Sequence, residues 1–206
     1  MPERRVRLPA EERRERILET AVDVFAEHGY RASTGELAAA AGLTRTVLYH
    51  YFPSKEQLYL AVLEAQAAAL VAHLAPHVAG EGTQQERARR TIDALLDFHE
   101  TRPSAWQILF DPRDDGEPEV VAAHRRVHEL TMQAGRHMFA PDMAEAGLDA
   151  DSPRTAVLGE MQLAAVIAAA RWWRDHPSVP RQQVATAAFD LLWHGIAGLP
   201  ERGAAG

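Results

Sequence analysis

Cysteine is absent from this 206-residue chain, which excludes a disulfide framework and any thiolate metal site. Lysine is nearly absent too: Lys55 is the only one, and every other basic residue is arginine. No long hydrophobic run stands out. The longest apolar-looking stretch, Ala156 to Ala170, is interrupted by Glu160 and Gln162 and is too short to span a bilayer. The charged start, Met1 to Arg7, lacks the apolar segment of a secretory leader. A soluble, cytoplasmic protein without membrane contact is therefore expected. Runs of β-branched alternation are missing, which excludes a strand-based fold. The chain contains no internal repeat, HExxH pattern, nucleophile motif or phosphate-cradling glycine loop.

What is present is ordinary for a folded domain: 47% hydrophobic and 25% charged residues, with a formal net charge of −7. That sign argues against a protein whose whole surface binds nucleic acid. The distribution is uneven, however. Residues 1–55 hold nine Arg/Lys against eight Asp/Glu, so the remainder carries −8. Only the N-terminal quarter is suited to approach phosphates.

The patterning predicts an all-α fold of about nine helices. In residues 11–28, Ile17, Ala21, Val24, Phe25 and His28 fall on one face, and Gly29 supplies a stop. Ser33 and Thr34 offer caps to a short helix over Gly35–Ala41. Gly42 breaks it, and Thr44 caps a helix over Arg45–Tyr51. A long helix follows over Pro53–Leu74, before a looser connection marked by Pro76, Gly80 and Gly82. Further helices are expected at Gln84–Thr101, Pro103–Phe110, Glu117–Phe139, Pro153–Asp175 and Pro180–Ala197, with a frayed tail at Pro200–Gly206.

The informative segment is Ser33–Lys55, STGELAAAAGLTRTVLYHYFPSK. Two short helices joined through a glycine turn make a helix-turn-helix, whose second helix can enter a major groove. Leu37, Ala38, Ala41, Leu43, Leu48 and Phe52 would hold the unit together. Thr44, Arg45, Thr46, Tyr49 and His50 remain outward, with groups suited to phosphates and base edges.

Ala41-Gly42-Leu43-Thr44, followed by Leu48-Tyr49-His50-Tyr51-Phe52-Pro53-Ser54-Lys55, resembles the signature of the TetR family of transcriptional regulators. The helix with Phe25 and the pair Gly29-Tyr30 is similar as well, so the match spans about residues 12–60. Thr46 departs from it, because the family often has glycine there. The resemblance implies a helix-turn-helix domain over 1–52 and a helical ligand-binding and dimerisation domain over 53–206. It places Thr34, Thr44, Tyr49, His50 and Lys55 along the phosphates, with Arg45 and Thr46 nearest the bases. The implied partners are double-stranded operator DNA, a second copy of the chain and a small-molecule effector, without a cofactor or metal.

In the larger part, Val157, Met161, Ala165 and Ala168 on one late helix and Val184, Ala188, Leu191 and Leu192 on the next would suit a dimer interface, since a palindromic operator needs a two-fold partner. Phe98, Trp106, Phe110, His128, Met132 and Met161 combine apolar bulk with polar handles, as ligand sites do. Trp172 and Trp173 cannot share a helix face. The pairs His73/His77 and His124/His128 have metal-compatible spacing but no evident third ligand. The expected function is a repressor released from its operator by a small, fairly apolar molecule. Two alternatives share parts of this pattern: a DNA-bound organiser answering to a protein, and a helical enzyme using Asp97/His99 or Asp175/His176. Neighbours in sequence point to different helix faces, which disfavours the enzyme.

Overall fold

The computed structural model describes residues 9–112 and 117–195. Among these it contains nine α-helices: α1 (Ala10–His28), α2 (Thr34–Ala40), α3 (Arg45–Tyr51), α4 (Lys55–Val78), α5 (Gln84–Thr101), α6 (Pro103–Phe110), α7 (Pro118–Glu145), α8 (Pro153–Arg174) and α9 (Arg181–His194). The expected tail at Pro200–Gly206 lies outside the described residues. The chain forms two compact units. One comprises residues up to Ala68 with Ser104–His128; the other comprises Ala69–Pro103 with residues from Glu129 onward. Helices α4 and α7 contribute to both.

In the first unit, α1 buries Ile17, Leu18, Ala21, Phe25 and Ala26. Val24 is half-buried and His28 is exposed, so the apolar stripe is centred one position from the expected line. Gly29, at φ 62°, turns the chain out of α1 and its N–H returns to the Phe25 carbonyl. The core closes around Leu37, Ala38, Leu48 and Phe52 from the helix-turn-helix. Leu58, Tyr59, Val62, Leu63 and Ala67 of α4 join them, with Ile108 of α6 and Val120, Ala123 and Val127 of α7. Tyr59 sits at its centre. Its ring meets Phe25 edge-on at 4.9 Å and Tyr30 at 5.3 Å, while its hydroxyl is 2.8 Å from Nε2 of His124. Gln107 of α6 donates to the Ala26 carbonyl at 2.9 Å.

The second unit packs α5 against α9 and both against α8. Leu96, Phe98, Ala170 and Phe189 are fully buried there. Arg181 at the start of α9 reaches Asp93, Asp97 and Glu100, which recur along α5. Trp173 is buried and donates from Nε1 to the Val179 carbonyl at 2.7 Å; Trp172 is exposed and stacks on His176.

Two helices outrun their expected ends. α4 continues through Pro76, and α7 continues six residues past Phe139, through Pro141. Each proline forgoes one backbone bond to the carbonyl four residues back, and because both lie in the last turns little helix remains beyond them to be disturbed. α7 is also held beyond its proline, because Arg87 pairs with Asp142 and Gln84 donates to the Asp142 carbonyl at 2.9 Å. The most apolar stretch is α4 rather than Ala156–Ala170. Among the described residues it is the one helix long and apolar enough to cross a membrane, with mean hydropathy 1.6. The burial of Leu58, Tyr59, Val62, Leu63 and Leu70 marks it as a core helix.

Tyr59→Phe is expected to lower unfolding stability by about 1 kcal/mol through the lost hydroxyl contact. Tyr59→Ala should cost roughly 3–5 kcal/mol by opening a cavity. Urea denaturation followed by circular dichroism checks both.

Candidate nucleic-acid interface and effector cavity

The head begins with a capping box. The Glu36 N–H donates to Ser33 Oγ at 3.2 Å, and the Ser33 N–H donates to Glu36 Oε2 at 2.7 Å. The backbone bond from Ser33 holds the Glu36 carboxyl below its ordinary range. Because the folded carboxyl titrates low, the cap's stabilisation is present at neutral pH and fades as acidity approaches that lowered value. Just past the end of α2, Gly42 at φ 68° lets Leu43 N–H reach back to the Ala38 carbonyl at 2.8 Å. Thr44 then caps α3 by accepting from Val47 N–H. That role leaves its hydroxyl proton available to donate.

With Leu37, Ala38, Leu48 and Phe52 buried, α3 turns Thr44, Arg45, Thr46, Tyr49 and His50 to solvent; Thr34 at the start of α2 is half-buried. These six side chains lie on α2, α3 and the turn between them. Arg45 is not fully extended. Its guanidinium lies over Gly35, where a Cβ would come within 2.5 Å of Nη2 and 3.1 Å of Nε. The contact joins the first turn of α2 to the first turn of α3, and the sequence pattern does not reveal it.

Lys55 is placed differently from the other expected phosphate contacts. Its Nζ donates to the Tyr30 carbonyl at 2.6 Å, lies 3.5 Å from the Ala32 carbonyl and sits 4.1 Å from the Tyr30 ring centre. The ammonium is thus engaged inside the head, tying the start of α4 to the linker before α2. The solitary status of this lysine hinted at a special role; only the fold shows which groups it meets.

The second unit contains a cavity of about 500 Å³ that is partly open to solvent. Its walls come from Leu70 and Leu74 of α4, Ile92 and Leu95 of α5, Met132 and Phe139 of α7, Leu158 and Leu163 of α8, and Phe189 and Leu192 of α9. Of the six residues expected at a ligand pocket, Met132 lines this cavity. Phe98 is instead fully buried, with His73 and Arg102 against its ring. Trp106 and Phe110 pair at 4.6 Å within the first unit, to which His128 also belongs, and Met161 is 62% exposed. Helical periodicity cannot distinguish core from cavity wall, since both are apolar faces.

Of the residues expected at a dimer face, Val157, Met161, Ala168 and Leu191 are exposed, and Ala165 and Leu192 are half-buried. Val184 and Ala188 are buried in the subunit's own core. Trp172, Leu158 and Trp193 are additional exposed apolar side chains on α8 and α9. The spaced histidines have protein partners: His124 meets Tyr59, and His73 Nε2 donates to the Ala94 carbonyl at 3.1 Å. Asp97, once a candidate acid, is bound by Arg181.

A capped pair of short helices, closed by a glycine turn and presenting hydroxyls, a guanidinium and an imidazole, defines a helix-turn-helix DNA-binding protein. Residues 17–62 match the model of the bacterial regulatory proteins of the tetR family. The chain is 29% identical to the HTH-type transcriptional activator FasR of Mycolicibacterium smegmatis over 197 residues, covering 94% of this chain and 87% of that protein. Its fold is similar to a TetR-like regulator from Rhodococcus sp. RHA1, with TM-score 0.71 and 23% identity over 94% of this chain and 100% of the other. It is also similar to FadR from Bacillus subtilis in complex with stearoyl-CoA, with TM-score 0.73 and 15% identity over 88% of this chain and 98% of the other. Residues 17–62 thus carry a DNA-binding domain of the tetR type, and the helical fold around it is that of TetR-like transcriptional regulators.

Lys55→Met is expected to reduce stability by about 1.5 kcal/mol, since a charged donor to the part-buried Tyr30 carbonyl is lost. The salt dependence of DNA binding should stay unchanged; a slope lowered by about one would instead establish a phosphate contact. Gly35→Ala should displace the Arg45 guanidinium and alter base preference at the same operator position that Arg45→Ala affects. Sequencing of duplexes selected by each variant reads this directly, and an unchanged preference in Gly35→Ala would show the contact to be incidental.

Proposed function

We propose that the protein is a dimeric, ligand-responsive repressor that leaves a palindromic operator when a small, fairly apolar molecule enters the cavity of the second unit. The observation that carries this reading is that cavity, about 500 Å³ and walled mainly by aliphatic and aromatic side chains. Its size lies within the roughly 300–1,000 Å³ typical of small-molecule sites. A DNA-bound organiser answering only to a protein partner has no use for such a space. The stearoyl-CoA bound by the Bacillus subtilis FadR favours a ligand with a long apolar portion.

In the division of labour proposed, residues 1–52 contact DNA, and residues 53–206 bind the effector and the second subunit. Arg45 and Thr46 meet base edges, while Thr34, Thr44, Tyr49 and His50 hold phosphates. Lys55 supports this surface from behind. The dimer face uses the exposed apolar residues Val157, Met161 and Leu191, whose association removes them from water. Helix α4 starts beside the linker that Lys55 grips and ends among the cavity-lining residues Leu70 and Leu74. A ligand that prefers one arrangement of α4 would change the spacing of the two heads. Half-sites recur at about 34–36 Å per turn, so a small change in spacing prevents simultaneous docking. A cytoplasmic location follows from this role.

The test begins with selection of bound duplexes from a randomised pool at physiological salt. A palindrome with regularly spaced half-sites is expected, and apolar molecules should then release it. Well-folded protein that selects no sequence would refute the operator; a palindrome that no apolar molecule releases would refute the effector.

A further inference from the structure

The cavity has two properties that apolarity alone does not explain. The first is a pair of glycines in its helical walls, Gly135 on α7 and Gly159 on α8. Neither has a positive φ, so the backbone does not require glycine at either place. A Cβ at Gly135 would meet nothing within 4 Å, so no neighbour demands its absence. At Gly159 the nearest group is Cε of Met132, 3.5 Å away, an ordinary contact. Glycine weakens a helix relative to alanine. Its consequence at Gly135 is open space where a side chain would stand.

The second property is charge. Two cavity-lining residues are ionised, Arg136 and Asp142. Asp142 is already neutralised by Arg87, which also reaches Glu145 at 3.7 Å. Arg136, directly after Gly135, is half-buried, and its guanidinium forms no hydrogen bond or ion pair with any described residue. A partly desolvated guanidinium without a carboxylate is an incomplete arrangement, and its planar donors match a carboxylate or phosphate. The wall therefore combines apolar surface, a gap and one uncompensated cation.

We propose that the effector is an anionic amphiphile, its apolar body lying along Gly135 and Gly159 and one carboxylate or phosphate group held by Arg136. This deepens the reading of the cavity as the effector site and rests on it. The anion could belong to a free carboxylate or to a phosphate-bearing thioester of the same chain.

The test titrates the full chain by calorimetry with myristate, its neutral counterpart tetradecanol, and myristoyl-coenzyme A. At least one anionic probe is expected to bind about tenfold tighter than tetradecanol, and Arg136→Gln should erase that advantage while sparing tetradecanol. The anion that loses most in Arg136→Gln identifies whether carboxylate or phosphate is held. Gly135→Leu should weaken all three probes about tenfold or more by filling the gap, with ligand-free DNA binding retained. Equal affinity for tetradecanol and both anions in the unaltered protein overturns the inference but leaves the apolar cavity standing as the effector site. An anionic preference that survives Arg136→Gln overturns the role of Arg136. Failure of all three probes to bind overturns the inference and the cavity reading together.

Discussion

An apolar helix such as α4 needs its inner face covered, and the first unit packs around the part of α4 that lies within it. Leu58, Tyr59, Val62 and Leu63 are almost fully buried. Tyr59 brings a hydroxyl into that core, and His124 meets it. Because burial of these side chains is the main driving force available, the position of α4 is stiffly determined. Lys55 then transfers that stiffness to the Tyr30–Ala32 linker, from which Ser33 starts α2. The DNA-facing surface of α3 is placed by this succession rather than by any preference of its exposed residues.

The second unit is held together differently because it keeps a space. Helices α5 and α9 are joined by Phe189 and the apolar face of α5, and by Arg181 among Asp93, Asp97 and Glu100. Those charges remain partly exposed, so each pair contributes little alone, and their value lies in setting register. The Arg87–Asp142 pair at the cavity wall similarly fixes the end of α7 without filling the interior. Stability is thus carried at the margins while room is kept inside.

Much of the fold was legible because helix punctuation is local. The bounds of α3, α5 and α6 agree with the pattern of caps, glycines and prolines, and the helix-turn-helix follows from Gly42 and its flanking apolar residues. The ends of α4 and α7 were not legible. Proline signals a stop only when nothing beyond it holds the helix, and Arg87 and Gln84 hold α7 from 55 and 58 residues away. Trp173 turned inward and Trp172 outward, as a single helical face requires, but which of the two is buried depended on the neighbouring elements.

The sequence by itself determined the all-helical class, the helix-turn-helix and the outward set Thr44, Arg45, Thr46, Tyr49 and His50. All of these depend on spacing within one or two turns, which backbone geometry fixes. The tertiary structure decided that Lys55 grips the linker and that Arg45 rests on Gly35. It also decided that Met132, rather than Phe98 or Trp106, faces an empty space, with Arg136 beside it. Each of these turns on which helix face meets which neighbour, and residues far apart in the chain settle that only when they pack.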